Sequence, residues 1–507
     1  MADSHSARSS PVPNALPWPA LRRRLARAGL LDEIHCGSDA DPHTLTIGAL
    51  TDDSRDVTPG GTFVAIRGVE ADGHSFIDMA VKQGARLVVC EAVPERARER
   101  FPDTVFARVT DARSALAEAA AALYDDPAEA LRLVGVTGTN GKTTVAYLLH
   151  HLLDALGTPT GLLSTIGVRT GAEETSTGLT TPGPIALHRT LRKMVDAGCT
   201  AGVMEVSSHA LDQRRVHGLD YEVAIFTNLS VDHLDYHGSS QAYRAAKKRL
   251  FDGLGADATA LYNADDEAGT TMVADTAADI VSFALNTGAD IEGGVLESRI
   301  DGLRLRIDGR ERAFQLAGRF NAYNLTAAYG AGMALGFGPE AVLDALAAAP
   351  PVPGRFEPLR FDGGPTVIVD YAHTPDALEN ILRAARDTLP QGGTLWCVFG
   401  CGGDRDPSKR PTMGRIAEQV ADRTIVTSDN PRTEDPVAIL RDIRDGVRDP
   451  EAMRWIVDRE AAIQAAADEA VPGDVVVLAG KGHETTQTLG TDTRPFDDRE
   501  MARRYFG

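Results

Sequence analysis

The sequence predicts an α/β protein of three domains, and three observations carry that prediction. Its 507 residues suit about three domains better than one core. Apolar runs of strand length alternate with helical stretches along most of the chain, the pattern of mostly parallel sheets covered on both faces. Breaks rich in proline and glycine, above all Pro350, Pro351, Pro353 and Gly354, divide those runs into blocks. The expected organisation is a disordered segment over 1–22, a small α/β domain over 23–110, a central domain over 111–353 and a doubly wound C-terminal domain over 354–507.

Each block has its own signature. The opening MADSHSARSSPVPNALPWPA is polar and proline-rich and has no apolar segment of the signal-peptide kind, so no fold is expected there. The first domain is read from GTFVAIRG, ARLVVCEA and TVFARVT, short strands between turns and helices. The central domain opens with LRLVGVTG, a strand running into a glycine-rich loop, and continues as the helix TTVAYLLHHLLDAL. Further strands follow in GLLSTIG, AGVMEVSS, EVAIFTNLS and ATALYNADD. Between about 290 and 317 the apolar period falls to two, which predicts antiparallel hairpins, and the helix NAYNLTAAYGAGMALG closes the block. The last domain is read from TVIVDYAH, TLWCVFGCGG, RTIVTSDNP and DVVVLAGKGHE, strands ending in polar loops. In such sheets ligands sit at the carboxyl ends of the strands, so chemistry is expected in those four loops.

Composition excludes several classes. A net charge of -20 argues against a nucleic-acid partner, which calls for a basic face. No run is apolar and long enough to span a bilayer, so no membrane role is expected. Five scattered cysteines make no disulfide framework, and the close pair Cys397 and Cys401 lacks a second pair for zinc. These features predict a cytoplasmic protein, expected to act as a monomer.

The loop Gly138-Thr139-Asn140-Gly141-Lys142-Thr143-Thr144 is the strongest local signal. Its glycines allow backbone N–H groups to face phosphate oxygens, Lys142 adds a charge, and the Thr143 hydroxyl suits Mg²⁺. The strict pattern asks for glycine at 136, where this chain has Val136. Mg²⁺ held with ATP takes one or two protein carboxylates, and Glu205 at the end of AGVMEVSS is a candidate. His233 in NLSVDHLDYHGS is a candidate for a second metal, although a lone histidine is more often structural and Asp232, Asp235 and His237 also suit a plain polar loop.

GTNGKTT, MEVSSHAL, TNLSVDHLDYHG, AYRAAKKRLF, GRFNAYN, PGRFEP, VDYAHTPDAL, FGCGGDRDPSKRP, DNPR and AGKGHE occur in that order. Together they resemble the Mur ligases of peptidoglycan synthesis, from about Asp53 to the C-terminus. The resemblance implies an N-terminal domain for a UDP-sugar, a central P-loop-type ATPase domain and a C-terminal Rossmann-like domain for an amino acid. It implies ATP as co-substrate with Mg²⁺, and amide formation through an acyl phosphate. It implies that Lys247 in AYRAAKKRLF is carbamylated to N6-carboxylysine and joins Thr143, Glu205 and His233 in holding metal. Without the resemblance, Lys247 and Lys248 read as a solvated helix face. It also places Asn321, Arg355 and Asp370 at the nucleotide.

Two substrates are implied. UDP-N-acetylmuramoyl-L-Ala-D-Glu is expected to meet Ser54, the turn Val69-Glu70-Ala71, Thr180, Thr181, Ser207, Gln213 and Arg215. The amino acid is expected to meet Arg405, Asp429, Asn430, Pro431, Arg432, Gly480 and Glu484. DNPR resembles the motif of ligases that add meso-diaminopimelate, whose distal carboxylate a guanidinium grips bidentately. Lysine would leave Arg432 unpaired and bring an ammonium toward it. The rival readings are a related ligase for lysine or peptide recycling, and a phosphate-loop ATPase serving as motor or switch.

Overall fold

The computed structural model describes residues 15–68, 71–176 and 178–507. The chain divides into two compact units, Met1–Gly135 with Thr158–Glu222 and Val136–Gly157 with Val223–Gly507.

In the first unit a five-stranded sheet runs in the order Leu31–Cys36, Val105–Val109, Leu87–Cys90, Thr62–Val64 and Leu50–Thr51. The first pair is antiparallel and the other three are parallel. Leu87–Cys90 is buried at every residue, as a strand covered on both faces must be. The three strand runs read from the sequence supply the middle of this sheet. The helix Ala112–Leu123 extends the same core past residue 110 with Ala115, Leu116 and Ala119.

One expectation is corrected here. The segment over 1–22 was expected to lack a fold, yet the helix Trp18–Arg27 begins inside it. Trp18 and Leu21 are wholly buried against the sheet. Prolines misled the sequence reading because they mark both loops and helix starts. Pro19 lies in the first helical turn, where a missing N–H leaves no intrahelical bond unmade. Arg24 then fixes the helix to Glu118 and Asp126.

The rest of this unit pairs Thr160–Ser164 with Ala201–Glu205 in parallel, and adds Gly167–Thr170 and Glu173–Thr175 as antiparallel neighbours. The helix Pro184–Asp196 buries Leu187, Leu191 and Met194, one stripe of a 3.6-residue period.

The second unit holds strands of two larger sheets and the small hairpin Thr486–Leu489 with Asp492–Pro495. Val223–Phe226, Thr259–Asn263, Asp279–Ala284 and Ile291–Arg299 pair in parallel and in sequence. Gly302–Ile307 and Arg310–Phe314 then add antiparallel hairpins, as the period of two predicts. The helix Lys142–Ala155 packs beside Phe320–Ala334, and Gly332 lets Val342 and Leu152 approach closely.

The C-terminal sheet has the order Glu357–Arg360, Thr366–Asp370, Val475–Ala479, Leu395–Phe399, Arg423–Val426 and Arg454–Trp455. All but the first pair are parallel. Its strands alternate between two cores. Ile368, Cys397 and Val477 face one layer of helices, and Val369, Trp396 and Leu478 face the other. Val475–Ala479 inserts between the two earlier strands, so the carboxyl ends of the four expected strands are neighbours. The five cysteines are free thiols.

Trp18→Ala should lower the stability of the first unit by about 3–5 kcal/mol, the cost of emptying a buried aromatic site. The check is the denaturant midpoint of the transition that includes this unit. An unchanged midpoint would place the helix outside the core.

Candidate active site

The glycine loop is fixed by its neighbours in the second unit. At Gly138, with φ of +147°, a Cβ would come within 1.9 Å of Thr227 Oγ1. At Gly141, with φ of +86°, it would meet Asn324 Oδ1 at 2.5 Å. Both positions therefore exclude side chains by contact as well as by conformation. Val136 lies in the preceding strand and is fully buried, so its departure from the strict pattern falls before the turn. The backbone of Asn140 is held by Asn228 and Thr227, with its N–H donating to Asn228 Oδ1 and its carbonyl accepting from both side chains. The Asn140 amide reaches Asp376, at 2.8 Å, in the first turn of the helix Pro375–Thr388.

Two amines converge on one carbonyl. Lys142 Nζ donates to Gly138 O at 2.9 Å and to Thr139 O at 2.7 Å. Lys247 Nζ donates to the same Gly138 O at 2.7 Å from the helix Ser240–Asp252. Lys247 is 1% exposed and lies over the Tyr243 ring at 4.6 Å. Tyr243 in turn shares a hydrogen bond with Thr139 Oγ1 at 3.1 Å. Burial, with Lys142 beside it, pushes the Lys247 amine well below the ordinary lysine range. The solvated-face reading therefore fails for Lys247. It holds for neighbouring Lys248, which pairs with Asp252 and Asp275.

Residues from the C-terminal part of this unit reach the loop. Arg355 Nη2 donates to Thr143 Oγ1 at 3.0 Å, and its guanidinium lies 4.5 Å from the centre of the Tyr371 ring. Asp370 accepts from the N–H groups of Phe356 and Ala372, and its burial pushes the carboxyl up despite those bonds and nearby Arg355. Asn321 is buried, donates to Ala317 O and accepts from Asn324. Thr144 is buried in the first turn of its helix. His233 caps a short turn at φ of +53°, with its ring 3.4 Å from Asp232. Among the described residues no three His, Cys, Asp or Glu side chains converge as a metal cage. The Thr143 hydroxyl in the second unit is a hard oxygen donor, which fits an ion that brings phosphate and water ligands of its own.

In the first unit the expected nucleotide-sugar residues of the central block lie together. Glu205 is buried, and Oε1 accepts from Ser164 Oγ at 2.6 Å and the Thr165 N–H at 2.7 Å. Thr181 Oγ1 donates to Glu205 O and accepts from the Ser207 N–H. Arg215 donates to Thr181 O at 2.8 Å and to Gln213 Oε1 at 2.7 Å, while Thr165 donates to Thr180 Oγ1. Ser54 is buried at the start of a short helical turn, and Ala71 is exposed. Val69 and Glu70 lie outside the described residues.

The C-terminal loops form a third group. Arg432 adopts φ of +52° and is pinned by main-chain bonds to Thr488 O and from the Gly490 N–H. Its Nη1 donates to Gly403 O at 2.6 Å. Gly402 lies between Arg432 and Arg405, with a Cβ there 3.1 Å from Arg432 Nη1 and 3.8 Å from Arg405 Cγ. Asn430 Nδ2 donates to Glu484 Oε2 at 2.8 Å, and a Cβ at Gly480 would meet Asp429 Oδ2 at 2.5 Å. Pro431 precedes this strained residue and accepts from the Glu434 N–H. All seven amino-acid candidates therefore occupy one loop cluster.

Sequence reasoning missed Asn324, Tyr243, Asp376 and Arg410. All four stand inside motifs quoted above, but only packing reveals what they touch. Arg410 is buried and ties Gly402 O to Glu434, just past Arg432.

Residues 46–124 match the Mur ligase family catalytic domain, 136–332 the Mur ligase middle domain and 354–482 the Mur ligase glutamate ligase domain. The chain belongs to the Mur ligase family. It is 46% identical over 456 residues to UDP-N-acetylmuramoyl-L-alanyl-D-glutamate–2,6-diaminopimelate ligase of Parabacteroides distasonis, covering 90% of this chain and 93% of that one. The ligase of the same name from Phocaeicola vulgatus is 45% identical over 463 residues, covering 91% and 95%. A solved structure of a ligase of that name has 34% identity and a TM-score of 0.65, covering 92% of this chain and 96% of that one.

Lys247→Met should raise the thermal midpoint at pH 7 in CO₂-free buffer. The buried amine binds fewer protons folded than unfolded, so wild-type stability should rise with pH between its lowered value and the ordinary lysine range. The variant should lose that slope. A lower midpoint with the slope retained would mean that Lys247 is charged in the fold.

Proposed function

We propose that this chain is an ATP-dependent ligase joining meso-2,6-diaminopimelate to UDP-N-acetylmuramoyl-L-alanyl-D-glutamate, as a cytoplasmic monomer. The observation that carries the reading is similarity over 90% of the chain to a relative named for that reaction. Among the described residues no helix is long and apolar enough to cross a membrane.

The chemistry follows from a poor electrophile. A carboxylate resists an amine at neutral pH, so its oxygen first attacks the γ-phosphorus of ATP and ADP leaves. The amine nitrogen then attacks the acyl carbon, gives up a proton, and the C–O bond breaks to release phosphate. The amides of Gly138, Gly141 and Thr144, with Lys142, would hold the phosphates at the head of the helix, while the Thr139 and Asn140 N–H groups donate to Asn228 and fix the loop behind them. Arg355, already at Thr143 Oγ1, would meet the same oxygens, and Asn321 and Asp370 would lie beside the nucleotide. Magnesium bound with ATP supplies positive charge to the transferred phosphoryl group; Thr143, Glu205, His233 and a carbamate on Lys247 would hold it. A carbamate forms only on an unprotonated amine, and the burial of Lys247 favours that form.

Ser54, Val69, Glu70, Ala71, Thr180, Thr181, Ser207, Gln213 and Arg215 would meet the nucleotide-sugar peptide. Diaminopimelate would lie at Arg405, Asp429, Asn430, Pro431, Arg432, Gly480 and Glu484. The main-chain bonds on both sides of Arg432 support a fixed guanidinium for the distal carboxylate.

Phosphate release should require both UDP-N-acetylmuramoyl-L-alanyl-D-glutamate and diaminopimelate, with lysine a poor replacement. Release that is equal without either substrate would favour a motor or switch. Arg432→Ala should raise the KM for diaminopimelate roughly tenfold to a hundredfold, from about 1.5–3 kcal/mol for hydrogen bonds to a charged group. The KM for ATP should stay the same. Unchanged kinetics would remove Arg432 from specificity.

A further inference from the structure

Lys481, in the AGKGHE turn, has no role in the chemistry above, yet it is one of the most deeply buried charges in the chain, at 0% exposure. An ammonium has three donors, and each here finds one acceptor. They are Thr486 O at 2.6 Å, Glu484 Oε2 at 3.0 Å and Asn430 Oδ1 at 3.3 Å. Two of those acceptors belong to residues proposed to face the amino acid.

The tripod has consequences for both. Asn430 Oδ1 accepts from Lys481 and from the Thr488 N–H at 3.1 Å, while Nδ2 donates to Glu484 Oε2 at 2.8 Å. Turning that amide over would set its NH₂ against an ammonium and a backbone N–H, so one orientation survives. Glu484 Oε2 takes bonds from both Asn430 and Lys481, while Oε1 makes no hydrogen bond to any described residue. The Glu484 side chain keeps 29% exposure. One carboxylate oxygen is thus tethered in the interior and the other is left as an acceptor. A buried ammonium costs several kcal/mol of lost hydration unless paired, so a lysine that only fastened the turn would be an expensive fastener.

We propose that Lys481 is a positioning residue for the amino-acid substrate, acting through Glu484 and Asn430 so that Glu484 Oε1 receives a substrate ammonium group. The proposal rests on reading the C-terminal loops as the amino-acid site. Wild-type phosphate release dependent on diaminopimelate tests that reading by itself, before any variant is compared.

Given that release, Lys481→Met should raise the KM for diaminopimelate about tenfold, the effect of loosening one charged hydrogen bond, with the KM for ATP unmoved. A purely structural lysine would lower kcat for every substrate and leave the KM values alone. Because stranding Glu484 can prevent folding, Glu484→Gln and the pair Lys481→Met/Glu484→Gln are measured alongside; removing both charges is the milder change. With glutamine at 484, Lys481→Met should add less than about twofold to the KM, since residues acting as one unit are non-additive. An unchanged KM in the single variant, or a further tenfold rise in the pair over Glu484→Gln, overturns the proposal.

Discussion

The carbonyl oxygen of Gly138 is the point on which the second unit's chemistry depends. It accepts from Lys142 on its own loop and from Lys247 on a helix more than a hundred residues later. Two amines on one oxygen cannot both carry a full charge cheaply in a buried setting. Lys142 sits at a helix head, where phosphate oxygens can neutralise it. Lys247 donates to a carbonyl and lies over the face of Tyr243, and burial with Lys142 beside it outweighs the pull of Asp232, so it is the one held toward the neutral form. A neutral buried amine is a nucleophile, and its conversion to a carbamate would turn mutual repulsion into attraction across the loop. The same geometry explains why Gly138 must be glycine: Thr227 occupies the space a Cβ would need.

A comparable economy governs the C-terminal loops. Inserting Val475–Ala479 beside Thr366–Asp370 and Leu395–Phe399 makes neighbours of loops far apart in sequence. The loop after Arg423–Val426 then meets the loop after Val475–Ala479, through Asn430, Lys481 and Glu484. Arg432 sits in a left-handed conformation that costs about 1–3 kcal/mol for a residue other than glycine. Main-chain bonds to the hairpin beyond Thr486 hold it there. The Arg432 backbone is therefore held on both sides, and Gly403 O accepts from its guanidinium.

Much of this was legible in the chain. The alternation of strands and helices predicted the doubly wound sheet, and the period of two predicted the hairpins after residue 290. The glycine loop was readable because its chemistry needs local spacing alone. Three features resisted. Trp18 begins a buried helix in a stretch whose prolines resemble a loop, since proline suits both settings. Lys247 and Lys248 are adjacent and identical in type, yet one is buried and the other pairs with carboxylates on the surface. Val136 departs from the strict phosphate-loop pattern without consequence for the turn, because it belongs to the strand.

The sequence by itself determined most of the strands and helices that frame the site, that a glycine-rich loop joins a strand to a helix at Gly138, and which family its ordered motifs resemble. Those properties depend on neighbours within a few residues, where side-chain period and turn chemistry act. Only the tertiary structure decided that Lys247 shares a carbonyl with Lys142, that Asp376 reaches Asn140, and that Lys481 binds Asn430 and Glu484. Each of these depends on burial and on contacts between distant segments, which set protonation and orientation and leave no periodic trace in the chain.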